Sequence, residues 1–383
     1  MLVVVAVIVM GTRGSFGLFI APWEELFGVG RASASLISAI GFLTFGFTQP
    51  LAGRLLERWS PRLVIGLGLA ILSVGLTGAA LSTHLWMALV SIGIVSSFGT
   101  GLASLSALSY VAGELVEGKD GVIFGLLTAG AAGGQVIILP IATAALGVSL
   151  RASLFVLAGL AVLGAIAVWR TVPQLPSRTT SVEPTPISAM VGERRFWLLL
   201  VPFFVCGYTT SGMIETHLIP FALDHNVQQV TASAALTTLA AFNIAGVLVA
   251  GSLTDRVDRA KLLVFIYLMR AGTLLILPFV SGARGLFVFA VLFGIADFST
   301  VPPTTSLTRT VFHTGGWAVA IGLISAAHQV GSALGAWLPG VILERTGSYS
   351  AAFVSGAVSL VGAAFLSYRL KDPEPEPLLT STV

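Results

Sequence analysis

Cysteine occurs once in 383 residues, at Cys206, which excludes an internal disulfide and any cysteine-based metal cluster. Charge is almost as scarce. Only 10% of residues are Asp, Glu, Lys or Arg, against about 25% in soluble domains, too few to clothe a water-facing surface. The five histidines are scattered, with no HxxxH pairing and no carboxylate cluster at metal-ligand spacing. A Walker A loop and a Gly-x-Ser-x-Gly elbow are both missing, so neither ATP-driven work nor serine hydrolysis is encoded. Basic runs interleaved with aromatics are absent as well, and nucleic acid is excluded as a partner. No cofactor, metal or catalytic residue is implied.

Apolar sequence takes the place of charge. Hydrophobic residues make up 55% of the chain and the mean hydropathy is +0.95. A membrane-spanning helix needs about 20 apolar residues. Twelve such runs are present, at about 2–22, 33–53, 63–82, 86–112, 121–147, 151–170, 196–220, 230–251, 262–280, 285–308, 317–343 and 350–368. They are apolar on every face, whereas barrel strands alternate at period two, so the expected class is an all-α protein in a lipid bilayer. Lys and Arg set its orientation. Fourteen of them, from Arg54 to Lys371, fall on the side that holds both termini, and four, Arg31, Arg151, Arg284 and Arg345, on the other. Both termini are therefore expected in the cytoplasm, in a multi-pass protein of a bacterial inner membrane. The expected organisation is a six-helix bundle over 1–175, a cytoplasmic linker rich in Pro, Ser and Thr over 176–194, a second bundle over 195–370 and a disordered tail over 371–383.

The two halves repeat. Gly53-Arg54-Leu55-Leu56-Glu57-Arg58 returns 198 residues later as Gly251-Ser252-Leu253-Thr254-Asp255-Arg256, and Pro22 and Phe155 meet Pro220 and Phe353 at the same offset. Gly134-Gln135-Val136 is echoed by His328-Gln329-Val330. Duplicated halves of this kind mark secondary transporters, whose substrate sits where the halves meet.

This pattern of paired acid-Arg loops, twelve spans and a central linker resembles the major facilitator superfamily over the whole chain. Its loop signature, G-x-x-x-D-R-x-G-R-[RK], is only partly kept, with Glu57 as the acid in the first copy and Asp255-Arg256 in the second. The resemblance implies a cytoplasmic ion-pair latch made by Glu57, Arg58, Asp255 and Arg256. Further stretches resemble the bacterial monocarboxylate-transporter-like branch: Gly11-Thr12-Arg13-Gly14-Ser15-Phe16-Gly17, Glu215-Thr216-His217-Leu218, Phe242-Asn243-Ile244-Ala245-Gly246, Tyr267-Leu268-Met269-Arg270-Ala271, Ser325 to Gly331 and Arg345 to Tyr349. One departure stands out. Better-known relatives carry a carboxylate-binding Arg in the eighth span with an acid four residues before it. Here those positions are Val247 and Asn243.

Polar groups within the spans are the remaining clues, since a charge at the bilayer centre costs roughly 2.5–3.5 kcal/mol. Arg13 lies nine residues before Pro22, about 13 Å below the outer end of its span, and either grips an anionic substrate or pairs with Asp297 or Glu215. Glu215 and His217 stand nearer the outside on opposite faces of one helix. Either is a proton carrier or part of an outer gate. Asp297, followed by Pro302 and Pro303, sits in a span expected to be distorted, as proton site or as partner of a buried Arg. Tyr110, Gln135, Asn243, His328 and Gln329 either complete the substrate site or bond helix to helix. Arg270 is expected to pair with a neighbouring helix. Together these residues point to a monomeric transporter of a small organic anion, proton-coupled and working by alternating access, with proton-driven export of amphipathic compounds as the alternative.

Overall fold

The computed structural model describes residues 1–115, 120–172, 187–280, 282–312 and 317–371. Among them it contains twelve helices long and apolar enough to cross a membrane. Helices 1 to 6 are Leu2–Phe27, Arg31–Leu56, Pro61–Ala80, Leu85–Ser109, Leu127–Leu146 and Leu150–Thr171. Helices 7 to 12 are Arg194–Asp224, Gln229–Thr254, Arg259–Phe279, Gly282–Val311, Val319–Thr346 and Ser350–Leu370. They form two pseudo-symmetric six-helix bundles. A short helix, Ile187–Gly192, precedes helix 7, where the sequence suggested only linker. The rest of that linker and nearly all of the expected tail lie outside the described residues. Met1 and Lys371 sit at one face of the molecule, termed the terminal face below, and the turns after helices 1 and 7 at the opposite face.

Helices 1 and 7 run further than the sequence suggested, to Phe27 and Asp224. Pro22 and Pro220 do not stop them, because each lies within a turn its neighbours continue. Helix 1 ends instead at Gly28, whose φ of 62° is a left-handed cap that suits glycine. The extension changes the depths. Arg13 is now close to the middle of its helix, and Glu215, nine residues before Asp224, sits roughly 13 Å below the opposite face.

Four helices are distorted at mid-depth, and they are equivalents. Helix 1 tightens into a 3-10 turn over Phe16–Phe19, where Ser15 turns its hydroxyl back onto the Gly11 carbonyl at 2.8 Å. Its counterpart, helix 7, widens to a π-helix over Tyr208–Ile214, with Thr209 and Thr210 hydroxyls on the carbonyls of Val205 and Cys206. Helix 4 has a π segment at Leu89–Ser96. Helix 10 breaks at Asp297 into a 3-10 turn, Phe298–Thr300. Pro302 and Pro303 lack the N–H groups that would have bound the carbonyls one turn back, so the break falls where those prolines place it.

Glycine seams hold each bundle together. Gly11 of helix 1 lies directly on Gly134 of helix 5: a Cβ on Gly134 would meet the Val7 carbonyl at 2.5 Å and the Gly11 nitrogen at 2.7 Å. The matching seam in the second bundle sets Gly207 and Gly212 of helix 7 against the His328 and Ser332 carbonyls of helix 11. Between bundles, Ala39 and Phe42 of helix 2 pack on Ala333 and Ala336 of helix 11, and helix 5 packs on helix 8. The first seam makes a prediction. Gly134→Leu overfills a backbone contact and lowers stability by about 1–3 kcal/mol, whereas Gly133→Leu, with nothing within 4 Å of its Cβ position, leaves it unchanged. Thermal unfolding of the two purified variants checks the difference, and equal melting points would contradict the seam.

Candidate functional site

Arg13, just before the break in helix 1, touches helices of both bundles. Its guanidinium carbon lies 4.8 Å from the Phe42 ring centroid and 4.4 Å from that of Phe45, both on helix 2. Its Nη2 donates to Gln329 Oε1 of helix 11 at 3.0 Å. Among the described residues no carboxylate is within ion-pairing distance of it. A cation over an aromatic face gains about 0.5–2 kcal/mol, and a hydrogen bond from a charged donor about 1.5–3 kcal/mol. Those neutral contacts suffice to hold a mid-membrane charge that costs roughly 2.5–3.5 kcal/mol. They leave its full positive charge in place.

Gln135 and Gln329, equivalent positions of helices 5 and 11, converge on the same turn from the two bundles. Gln135 Nε2 donates to the Gly14 carbonyl at 3.0 Å, satisfying an acceptor that the 3-10 turn leaves open. Gln329 holds Arg13. His328, next to Gln329, is buried against Phe203 at 4.8 Å and has Ser332 Oγ 3.5 Å from Nδ1. Glu215 of helix 7 is within electrostatic reach of Arg13, His328 and Asp297, and its own carbonyl abuts Gly17 of helix 1. The alternative of an ion pair between Arg13 and Glu215 or Asp297 finds no direct contact among the described residues.

Asp297 lies deeper in the second bundle, 1% exposed. Asn243 Nδ2 donates to its Oδ2 at 3.4 Å, and Asn243 Oδ1 accepts the Phe298 N–H at 3.2 Å, so Asn243 bridges helix 8 to the break in helix 10. Oδ1 of Asp297 has no partner among the described residues. Arg270 of helix 9, fully buried, is within electrostatic reach of Asp297. Its hydrogen bonds go elsewhere, to Cys206 Sγ at 3.2 Å, the Cys206 carbonyl at 3.4 Å and Thr209 Oγ1 at 2.5 Å. Arg270 therefore ties helix 9 to helix 7.

His217 belongs to a different structure, the seal of the opposite face. Arg31, opening helix 2, donates Nε to Glu24 at 2.6 Å, and Nη1 and Nη2 to the two carboxylate oxygens of Asp224, each at 3.1 Å. Nη1 also reaches Tyr349 Oη at 2.7 Å. Burial pushes the Tyr349 phenol up from its usual range, so it keeps its proton and donates to His217 Nδ1, 3.0 Å away. His217 Nε2–H in turn donates to the Ala336 carbonyl at 2.7 Å. Glu344 Oε1 accepts the Ala32 N–H at 2.8 Å, a carboxylate placed on a helix N-terminus. Sequence reasoning took Arg31 as a loop charge and passed over Glu24, Asp224, Tyr349 and Glu344. The available signal was that the sparse charges of this face are opposite in sign and sit at helix ends.

Among the described residues, every hydrogen bond between the bundles lies from the level of Arg13 to the opposite face, the Gln229 amide on the Leu18 carbonyl at 3.4 Å included. Arg58, Asp255 and Arg256 are exposed at the terminal face and make no ion pair among the described residues. The side chains of Glu57 and Tyr110 lie outside the described residues. No group of three potential metal-ligating side chains occurs among those described. Two open grooves lie between helices 9 and 10 and between helices 3 and 6, away from Arg13.

Twelve spanning helices in two bundles, distorted in equivalent pairs and meeting at an unpaired cation, define a multi-pass membrane transporter. The family model of the Major Facilitator Superfamily matches residues 2–242 and again 205–382, and the chain belongs to that family. An MFS-type transporter of Bacillus subtilis, YcxA, itself described as uncharacterized, is 25% identical over 359 residues, covering 88% of this chain and 85% of the relative. Monocarboxylate transporter 13 of Rattus norvegicus is 26% identical over 371 residues, covering 94% and 85%. A bacterial homologue of the human lysosomal transporter Spinster, in an inward-facing and occupied conformation, superposes with a TM-score of 0.74 at 16% identity, covering 96% of this chain and 93% of that one. That last likeness bears on the fold alone.

The seal makes a prediction. With Arg31→Ala, Glu24 and Asp224 lose the cation that joins them, and the opposite face separates more readily. Spin labels at the exposed Glu25 and Asn226, in a Cys206→Ser background, then give a longer and broader distance distribution than with Arg31 present. An unchanged distribution would mean that the apolar contacts of helices 2 and 11 hold this face unaided.

Proposed function

We propose that the protein moves a small organic anion, a monocarboxylate in the first instance, across the membrane by alternating access and together with a proton. One observation carries the reading. Arg13 stands at mid-membrane depth, held by two rings and one amide, with no carboxylate in contact among the described residues. Its remaining N–H groups offer the planar fork that a carboxylate fits, and the kinship with monocarboxylate transporter 13 supports the same cargo. Gln329, His328 and Gln135 surround the point where the anion would lie, and Tyr110 is proposed to join them from helix 4.

Coupling follows from electrostatics. Glu215 feels the field of Arg13. An anion on Arg13 cancels that field, and a proton on Glu215 restores the balance, so cargo and proton favour each other's binding. Asp297, held by Asn243 and open at one oxygen, is the second acid on this path. His217 is given no share in it, because both of its ring nitrogens are engaged in the seal.

The bias of Lys and Arg supports a cytoplasmic terminal face with both termini inside, and the protein is read as a monomer in a bacterial inner membrane. The present state, clasped on the opposite face, is read as the inward-facing one. Glu57, Arg58, Asp255 and Arg256 form their latch in the converse state, when the terminal face closes. The seal around Arg31 and that latch are mutually exclusive clasps of one rocking motion.

Proteoliposome uptake of monocarboxylates under an imposed pH gradient tests this reading. Arg13→Gln raises the KM for the anion roughly 10- to 100-fold, the value of one charge-assisted contact, and Arg13→Lys recovers part of it. Glu215→Gln keeps anion exchange but loses accumulation driven by the pH gradient. Uptake indifferent to organic anions, or full proton-driven accumulation by Glu215→Gln, would overturn the proposal.

A further inference from the structure

The groove between helices 3 and 6 has a feature that transport does not use. It is lined by Gly66, Leu67, Ala70, Ala165, Ile166, Trp169 and Arg170, and it opens on the outer surface of the first bundle. Arg62 lies one turn before Gly66 on the same face of helix 3, and Arg170 is in the last turn of helix 6. Both arginines therefore stand at the terminal face, directly above an apolar channel of small residues.

Arg62 is held in place by the Trp169 ring, with Cζ 4.3 Å from its centroid. Its Nε is buried and has no hydrogen-bond partner among the described residues. No carboxylate there pairs with Arg62 or Arg170. The second bundle gives a contrast. Arg259, which opens the equivalent helix 9, donates to Ser306 and Thr310, each at 2.9 Å. The arginine at the start of helix 9 is thus met by protein acceptors, whereas the buried Arg62 Nε has none among the described residues, which points to a missing acceptor. The acceptor has to be anionic to balance two arginines, has to reach a lipid-facing groove, and has to bring apolar chains to fill it.

We infer that this groove binds one anionic phospholipid, its phosphate held by Arg62 and Arg170 beside Trp169 and an acyl chain lying along Gly66, Ala70 and Ala165. Basic pockets between helices on one leaflet recognise anionic headgroups in this way, and an interfacial Trp anchors the headgroup level. The groove between helices 9 and 10, lined by Thr273 and apolar residues only, has no such preference. The inference does not depend on the transported cargo.

The delipidated full-length protein, titrated with phosphatidylglycerol or phosphatidylcholine in mixed micelles, tests it through thermal unfolding and native mass spectrometry. Phosphatidylglycerol is expected to raise the melting temperature and to be retained as a single adduct, with phosphatidylcholine doing neither. The double variant Arg62→Gln/Arg170→Gln binds phosphatidylglycerol roughly ten- to thirty-fold more weakly, at about tenfold or less per arginine, with its melting point in phosphatidylcholine unchanged. The double Arg→Lys variant keeps most of the affinity. Ala165→Phe, which fills the groove and leaves both charges, weakens binding as well. Equal response to the two lipids, full retention by the double Gln variant, or the same stabilisation by inorganic phosphate alone would each overturn the assignment.

Discussion

The break in helix 1 after Ser15 is the constraint from which the rest of the centre follows. The 3-10 turn at Phe16–Phe19 frees the Gly14 carbonyl, and Gln135 takes it. Gln329 takes the guanidinium that precedes it. Two equivalent glutamines, one from each bundle, therefore hold adjacent points of helix 1, Gln135 its backbone at Gly14 and Gln329 the Arg13 side chain. Only the Gln329 bond crosses between the bundles, so a rocking of one half against the other is felt at this turn.

The clasp between the bundles and the seams within them are built on different principles. The opposite face is joined by charge and hydrogen bonds from Arg31 through Tyr349 and His217 to the Ala336 carbonyl. These bonds are directional and are lost together when the helices separate. The glycine seams within each bundle are apolar and continuous, so each bundle moves as a unit. Rigid halves joined by a clasp of few, strong contacts are what rocking requires.

Much of this was legible in the sequence. The spans were plain because each apolar run has to satisfy its backbone within itself. Helix ends were less plain at Phe27 and Asp224, since Pro22 and Pro220 looked like stops. The distortion of helix 10 was visible in Pro302 and Pro303. Arg13 stood out because a lone mid-span charge is costly. Its surroundings were not visible, since Phe42, Phe45 and Gln329 come from distant segments that only packing brings together. Arg31 was hidden for a similar reason: a charge at a helix end looks like topology until Asp224 and Tyr349, 193 and 318 residues away, arrive beside it. The Asn243 contact with Asp297 was equally hidden, and it sets an acid beside the position where relatives are expected to carry theirs in the eighth span.

The central claim is that the cation at Arg13 receives the cargo. The most direct measurement is a structure determined with a transported monocarboxylate bound. The account predicts the carboxylate within hydrogen-bond distance of the Arg13 guanidinium, between the bundles and alongside Gln329 and His328. A carboxylate bound elsewhere, with Arg13 still joined only to Gln329 and its two rings, would contradict it.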